Sequence, residues 1–471
     1  MMTATRSLYF LPIGGTAMAP LAGLLAALGH RVEGVDSQLY PPMSTLLEEL
    51  EIPVRLGFDA GLIPAHVDRV IIGNAVPRSN PEVQEVLERG MPHLSQAEAV
   101  AHYALGTGRQ GLVVAGTHGK TTTTAMVSWI LETTDSDPTS LIGGLPRWNP
   151  RGFRLGRGRW LVVEGDEYNS AFFDRGPKFL HYRPQIFVLG PVEFDHADLY
   201  PNFDAVLTAF AAGTSLVPRD GAVVVNGWST DALHASRNAT APRIVVGETG
   251  DCDLVVAEAA GSPDHSTAVL HWRGKELPMS LPVAGRHNLQ NAAMAVAAAI
   301  AAGVEARTAV ESMAGFPGVA RRLEVVGEAD GLTVVDDFAH HPTALGVTVE
   351  AVRQRWPGRR LVLAFEPRSI TAGRAALHDA YLQALGGVEL VLIAPIFHRD
   401  RLADDERLDR SALAADLSRA GAIVITPEPD EDPAAALAGQ LQPGDVVVGC
   451  SSGDFAGFHR RVIEIWDGGM S

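Results

Sequence analysis

Gly116-Thr117-His118-Gly119-Lys120-Thr121 places two glycines, a lysine and a hydroxyl in the order a phosphate cradle needs. Glycines let backbone N–H groups approach phosphate oxygens, and a helix N-terminus adds partial positive charge. Lys120 can reach the β- and γ-phosphates, and the Thr121 hydroxyl can ligate Mg²⁺. A full P-loop carries another Gly five residues before Gly119; Val114 stands there, so the cradle is a shortened variant. Farther along come Glu164, His196 between Asp195 and Asp198, and a group made of Asp336, Asp337, His340, His341, Glu366 and Arg368. A carboxylate attacking a triphosphate must have its charge repulsion cancelled, and a lysine with a carboxylate- and imidazole-bound Mg²⁺ supplies concentrated positive charge.

The elements that must position these groups are legible from apolar runs and turns. Residues 112–115 predict a buried strand, 116–119 a tight turn, and Lys120 the first turn of an amphipathic helix. Residues 160–167 and 186–190 predict strands whose ends carry Glu164 and the Asp195-His196 pair, the ligand edge of an open α/β sheet. Asn288 and Asn291, three apart at the start of an Ala-rich helix, share one face; their amides either read a purine edge or cap the helix. In the third part of the chain, strands over 332–342, 361–369, 390–397 and 446–455 alternate with helices, and the ionisable group follows their ends.

Residues 7–108 begin with strand, Gly14-Gly15 turn, a helix over 21–28, and a strand ending at Asp36. An acidic residue roughly twenty positions after a glycine turn is where a Rossmann-like domain contacts a ribose hydroxyl, although Gly-Gly-Thr-Ala-Met is not the full fingerprint. Residues 219–282 predict short strands joined by turns, and Phe316-Pro317-Gly318 marks a linker. Three α/β domains are therefore expected, over 1–108, 109–317 and 318–471.

At 471 residues the chain exceeds one ordinary domain, and 46% hydrophobic with 20% charged residues suits a globular protein with a sizeable core. A net charge of −17 opposes general binding to nucleic acid or anionic membrane. Only Cys252 and Cys450 occur, far apart and without metal spacing, which fits a reducing cytoplasm. The apolar run 9–29 resembles a signal or a membrane span, but Pro12-Ile13-Gly14-Gly15 breaks it, so a soluble cytoplasmic protein is expected.

Three α/β blocks carrying Gly-Thr-His-Gly-Lys-Thr, Glu-Gly-Asp-Glu, Asp-His and Gly-Arg-His-Asn in this order resemble the Mur ligase family over essentially the whole chain. Within it, the stretches 40–45, 71–83, 168–184 (YNSAFFDRGPKFLHYRP), 336–344 and 365–369 are similar to the peptidoglycan-recycling branch. That branch attaches a preformed L-alanyl-γ-D-glutamyl-meso-diaminopimelate tripeptide to UDP-N-acetylmuramate. The resemblance implies a three-domain fold: a Rossmann-like UDP-sugar domain, a central P-loop ATPase domain and a Rossmann-like peptide domain that close about linkers near residues 108 and 317. It implies that the lactoyl carboxylate attacks the γ-phosphate of ATP and that the peptide amine then attacks the acyl phosphate. Lys120, Glu164 and His196 are the implied catalytic residues, with Thr121, Glu164 and His196 holding Mg²⁺. For ATP the implied contacts are Gly116, Thr117, His118, Gly119, Lys120, Thr121, Thr122, Asn288, Asn291, Arg322 and Asp337. For the UDP-sugar they are Gly14, Gly15, Thr16, Asp36, Ser44 and Asn74, and for the peptide His340, His341 and Arg368. The partners implied are UDP-N-acetylmuramate, ATP and tripeptide, with no nucleic acid and no membrane insertion, in a monomer or weak dimer.

Pro12 and Pro20 depart from the small residues of the family's first turn, and no lysine lies between Lys178 and Lys275, so the carbamylated lysine of several Mur ligases is absent. An L-alanine-adding ligase, a folylpolyglutamate synthase-like ligase and a nucleotide-gated regulatory protein are the alternatives. Replacement of Lys120 or Glu164 by Ala is expected to abolish ligation and leave the fold intact.

Overall fold

Apolar runs closed by glycine turns build three separate β-sheets in the computed structural model, which describes residues 5–196 and 199–469. Asp198 lies outside the described residues. In the first sheet β1 (Ser7–Leu11), β2 (Arg31–Asp36), β3 (Val54–Leu56), β4 (Arg69–Ile72) and β5 (His93–Ser95) are all parallel, in the order β3-β2-β1-β4-β5. The strand order reverses between β1 and β4, and such a switch point opens a crevice at the carboxyl ends of the strands. Gly14 and Gly15 follow β1, and Asn74 follows β4, at that crevice. The first helix runs Met18–Ala27 rather than starting after Pro20. Proline is tolerated in a first helical turn because N–H groups there lack intrahelical acceptors, so the helix forms around Pro20.

The central sheet has ten strands: β6 (Gln110–Ala115), β7 (Thr139–Leu141), β8 (Phe153–Arg154), β9 (Trp160–Gly165), β10 (Pro184–Leu189), β11 (Ala222–Asn226), β12 (Arg243–Gly247), β13 (Leu254–Ser262), β14 (His265–Trp272) and β15 (Lys275–Leu281). Their order is β15-β14-β13-β12-β11-β10-β6-β9-β7-β8, parallel from β13 to β7, with an antiparallel meander at one edge and antiparallel β8 at the other. Both faces are covered, which is why β6 is a continuous apolar run. Leu112 and Val114 join Met126, Ile130 and Met294 from helices Lys120–Thr133 and Arg286–Ala301, whereas Val113 and Ala115 share a core with Phe179, Phe187 and Phe210. Burial over the whole circumference keeps the Ala-rich helix inside the protein.

The third sheet orders β16 (Glu324–Ala329), β17 (Leu332–Asp337), β18 (Leu361–Phe365), β19 (Leu390–Ile393), β20 (Ile423–Ile425) and β21 (Val446–Cys450) as β16-β17-β21-β18-β19-β20. All pairs are parallel except the β16–β17 hairpin. β17 and β18 end several residues before the predicted limits, so Phe338 to His341 and Glu366 to Ser369 are loop, free to aim side chains away from the sheet. No helix among the described residues is long and apolar enough to cross a membrane.

The stretch 168–184 docks the first unit onto the second. Ser170 Oγ accepts the Ala97 N–H at 2.9 Å, Ser95 Oγ donates to Asp174 Oδ2 at 2.6 Å, and Phe173 meets His93 edge-on at 5.0 Å. His181 Nε2 lies 3.1 Å from Asp174 Oδ1, a hydrogen bond that raises the His181 pKa above its ordinary 6.5. A raised imidazole pKa stabilises the fold below the unfolded value, and that contribution disappears as pH rises through the folded value. Asp174→Asn is expected to lower stability by about 1–3 kcal/mol at pH 6 and by less at pH 8, measured by urea unfolding at the two pH values. An equal loss at both would remove the imidazole from the docking contact.

Candidate active site

A cleft of about 760 Å³ is lined by Thr16 and Gln96 from the first unit, by the phosphate loop and β9 edge of the second, and by Arg322 and Asp337 to His341 of the third. Its floor is the turn between β6 and helix Lys120–Thr133. Gly116 and Gly119 have left-handed φ of 128° and 78°, and a Cβ would stand 2.8 Å from the Gly190 Cα at the first and 2.6 Å from Asn291 Oδ1 at the second. Only glycine fits at either. Lys120 Nζ folds back on this loop, donating to the Gly116 and Thr117 carbonyls at 2.8 and 3.3 Å and to both Glu167 carboxylate oxygens at 3.1 and 2.8 Å. Thr121 Oγ1 donates to Glu164 Oε2 at 3.0 Å, while the Gly143 N–H donates to Glu164 Oε1 at 2.6 Å. Burial, with the charge of Asp166 second, pushes the Glu164 carboxyl up to about 7. A half-buried carboxylate crowded by the Asp166 charge favours a bound cation.

The loop after β9 carries an interlocked set. Asp166 pairs with Lys178 at 3.0 Å, Lys178 Nζ sits 4.5 Å from the Tyr168 ring centroid, and Glu167 holds both Lys120 and, at 3.4 Å, His196 Nε2. His196 has φ of 52°, and its N–H donates to Asp195 Oδ1 at 2.6 Å. Burial disfavours a charged imidazole, but the Glu167 hydrogen bond and Asp195 charge outweigh it and hold the His196 pKa above normal. Donor atoms of Glu167, Asp195 and His196 lie within 4.8 Å of one another.

Opposite them, Glu193 Oε2 accepts from Thr343 Oγ1 at 2.6 Å and lies 3.3 Å from His118 Nε2 and 3.9 Å from His341 Nδ1, joining the phosphate loop to the third unit. Burial first, then the charge of His118, pushes the His341 imidazole down to about 4. His340 Nδ1 lies 3.1 Å from the Phe338 carbonyl. Arg322 stacks 4.9 Å from the Phe338 ring; its burial is opposed by the charges of Asp337 and Glu164. Asp337 accepts the Leu323 and Ala339 N–H groups at 2.8 and 2.9 Å and Thr348 Oγ1 at 3.1 Å, so it also braces the turn that presents Arg322.

Of the residues named from sequence, Thr16, the loop from Thr117 to Thr122, Glu164, His196, Asn288, Asn291, Arg322, Asp337, His340 and His341 all line the cleft. Asn288 also donates its amide to the Ala284 carbonyl, as a helix-start brace does. Asp36 instead accepts from Gly14 N–H and Ser37 N–H, each at 2.7 Å, closing the first turn. Gly14, Gly15, Asp36, Ser44 and Asn74 do not line the cleft, nor does Arg368, which pairs with Glu366 at 3.3 Å and Asp454 at 3.8 Å and stacks 4.0 Å from the Phe397 ring. Sequence reasoning overlooked Asp166, Glu167, Lys178, Glu193 and Thr343. All five stood within stretches legible in the sequence, but the meeting of Glu193 with Thr343 exists only through tertiary packing.

A phosphate loop on a mostly parallel sheet, facing two further α/β units across one cleft, defines a multidomain nucleotide-dependent enzyme. Residues 7–107 match the Mur ligase family catalytic domain, 114–299 the Mur ligase middle domain, and 321–453 the Mur ligase glutamate ligase domain. The chain belongs to the Mur ligase family and is an ATP-dependent, amide-bond-forming ligase. It is 35% identical over 465 residues to the UDP-N-acetylmuramate–L-alanyl-γ-D-glutamyl-meso-2,6-diaminoheptandioate ligase of Escherichia coli (strain K12), covering 97% of each chain. A UDP-N-acetylmuramate–L-alanine ligase of Desulforapulum autotrophicum is 31% identical, over 97% of this chain and 98% of its own. Among solved structures, a murein peptide ligase from Psychrobacter arcticus 273-4 superposes with a TM-score of 0.76 at 28% identity, covering 98% of both chains.

Proposed function

We propose that this chain joins the lactoyl carboxylate of UDP-N-acetylmuramate to the amine of L-alanyl-γ-D-glutamyl-meso-diaminopimelate at the expense of ATP, in the cytoplasm, as a peptidoglycan-recycling step. The observation that carries the reading is the near-complete alignment with the Escherichia coli relative of that name. In this reading residues 1–108 hold the UDP-sugar at the β1/β4 switch point, 109–317 hold ATP and 318–471 hold the peptide, in a monomer or weak dimer. Lys120 leaves Glu167 for the β/γ-phosphates, so its positive charge meets the transferring phosphoryl group. The Thr121 hydroxyl and the Glu164 carboxylate offer the oxygen ligands that a hard divalent cation such as Mg²⁺ prefers, and His196, seated with Glu167 and Asp195, would add a single nitrogen ligand; the cation would neutralise phosphate charge there. Arg322 and the Asn288–Asn291 face border the nucleotide, and His340 and His341 the approach of the amine. Closure of the cleft excludes water from the acyl phosphate.

Phosphate release measured with each substrate omitted in turn tests the reading. Release that requires both UDP-N-acetylmuramate and tripeptide supports it, and release from ATP alone would support the regulatory alternative. The L-alanine-adding reading remains the second one, because relatives of that name align over the same length.

Two outcomes follow for the parts. UDP-N-acetylmuramate is expected to raise the melting temperature without ATP, by linkage to the native state. Ser44→Ala should shrink that shift, and Asp36→Ala should also lower the unliganded melting temperature, since Asp36 closes the Gly14 turn. No shift in a protein that still binds ATP would remove the UDP-sugar from the first unit. His196→Ala is expected to reduce kcat by roughly 10²-fold, partly restored by excess Mg²⁺. An unchanged Mg²⁺ dependence would take His196 out of the cation site.

A further inference from the structure

His118, Glu193 and His341 come together as a set that Mg²⁺–ATP binding does not require. We propose that they form a site for a borderline divalent transition metal, Zn²⁺ by its chemistry, which ties the phosphate loop to the third unit. Two imidazoles and one carboxylate are a zinc donor set, whereas Mg²⁺ selects oxygen ligands. Zn–N and Zn–O bonds near 2.0–2.1 Å place tetrahedral ligands about 3.3 Å apart. Here Glu193 Oε2 is 3.3 Å from His118 Nε2 and 3.9 Å from His341 Nδ1, and one donor atom from each residue lies within 4.8 Å of the others.

A second observation points to a ligand independently. The His341 side chain is 9% exposed, and neither ring nitrogen has a hydrogen-bond partner. Buried ring nitrogens are ordinarily satisfied, so an imidazole unpaired at both nitrogens beside a carboxylate lacks partners, one of which a metal ion supplies. His341 is also the N-cap residue of helix Pro342–Arg355 and makes no side-chain cap bond, which leaves its ring free to ligate. Thr343 Oγ1 donates to Glu193, the kind of outer hydrogen bond that orients a metal-binding carboxylate. Because His118 stands inside the phosphate loop, Zn²⁺ there holds the loop against the third unit.

The test uses the full chain without nucleotide, in excess Mg²⁺. Zn²⁺ is titrated against a chromophoric chelator, and Co²⁺ replaces it to report tetrahedral geometry through its visible absorption. Wild type should take up one Zn²⁺ and show the tetrahedral Co²⁺ spectrum. His341→Ala and Glu193→Gln should weaken uptake by at least the roughly 10- to 100-fold that losing even an outer partner entails. His196→Ala, which alters the separate Glu167–Asp195–His196 group, should bind as wild type does. Glu193→Gln keeps the side-chain shape and decides the matter should His341→Ala fail to fold by circular dichroism. Undiminished Zn²⁺ uptake by the folded variants, or loss confined to His196→Ala, would overturn the proposal.

Discussion

Lys120→Ala is expected to lower kcat/KM by about 10²–10³-fold or more and, contrary to the sequence expectation of an intact fold, to destabilise the protein. The Lys120 side chain is 13% exposed and Glu167 3%, and the two are 2.8 Å apart. Removing one partner of a buried ion pair strands the other charge, which costs about 3–5 kcal/mol. Glu167 retains His196 at 3.4 Å, which places the loss toward the lower end. The double variant Lys120→Met with Glu167→Gln should recover most of the stability and none of the activity, since neutral groups need no counter-charge but cannot stabilise a transferring phosphoryl group. Denaturant unfolding and steady-state turnover on the same three proteins separate the effects. Near-normal turnover by Lys120→Ala would refute the phosphate-cradle assignment.

The tripeptide should be preferred to free L-alanine by about 10⁴-fold in kcat/KM, the discrimination available to a site whose polar groups go unpaired with a shortened substrate. Under the proposed function, Arg368 would meet a distal peptide carboxylate. Its side chain is 26% exposed, stacks on the half-exposed Phe397 ring and is shared by Glu366 and Asp454, so a planar carboxylate can compete for the guanidinium. Arg368→Ala should raise KM for the tripeptide by roughly 10- to 100-fold, the worth of a charged hydrogen bond, and leave KM for ATP within about 2-fold. Arg368 does not line the central cleft, so equal effects on both substrates would mean that it braces the Ser451–Gly453 turn, against which it packs. An enzyme using L-alanine as readily as tripeptide would belong to the biosynthetic branch.

Local chemistry carried much of this protein into view. β6, the Gly116–Gly119 turn and the helix starting at Lys120 were legible because apolar periodicity and left-handed glycines act over a few residues. Glu164, His196, His340 and His341 were legible because they follow apolar runs, and parallel strands of one sheet deliver their ends to one edge. Helix Met18–Ala27 began earlier than periodicity suggested, since Pro20 is compatible with a first turn. β7, β8, β16 and β20 are short or edge strands with little periodicity of their own and exist by pairing with longer neighbours.

What sequence alone determined is therefore the phosphate loop, the three α/β blocks and the inventory of ionisable groups at strand ends. Only the tertiary structure decided their partners: Lys120 resting on Glu167, Asp36 closing its own turn rather than facing the cleft, and Arg368 lying outside it. It also joined His118 to Glu193, His341 and Thr343, residues of two sheets with no sequence proximity. Spacing along a chain encodes which face of its own element a residue occupies. Which charge it meets across a domain boundary is set by how whole sheets dock, and the strength of that meeting by how much water the docking excludes.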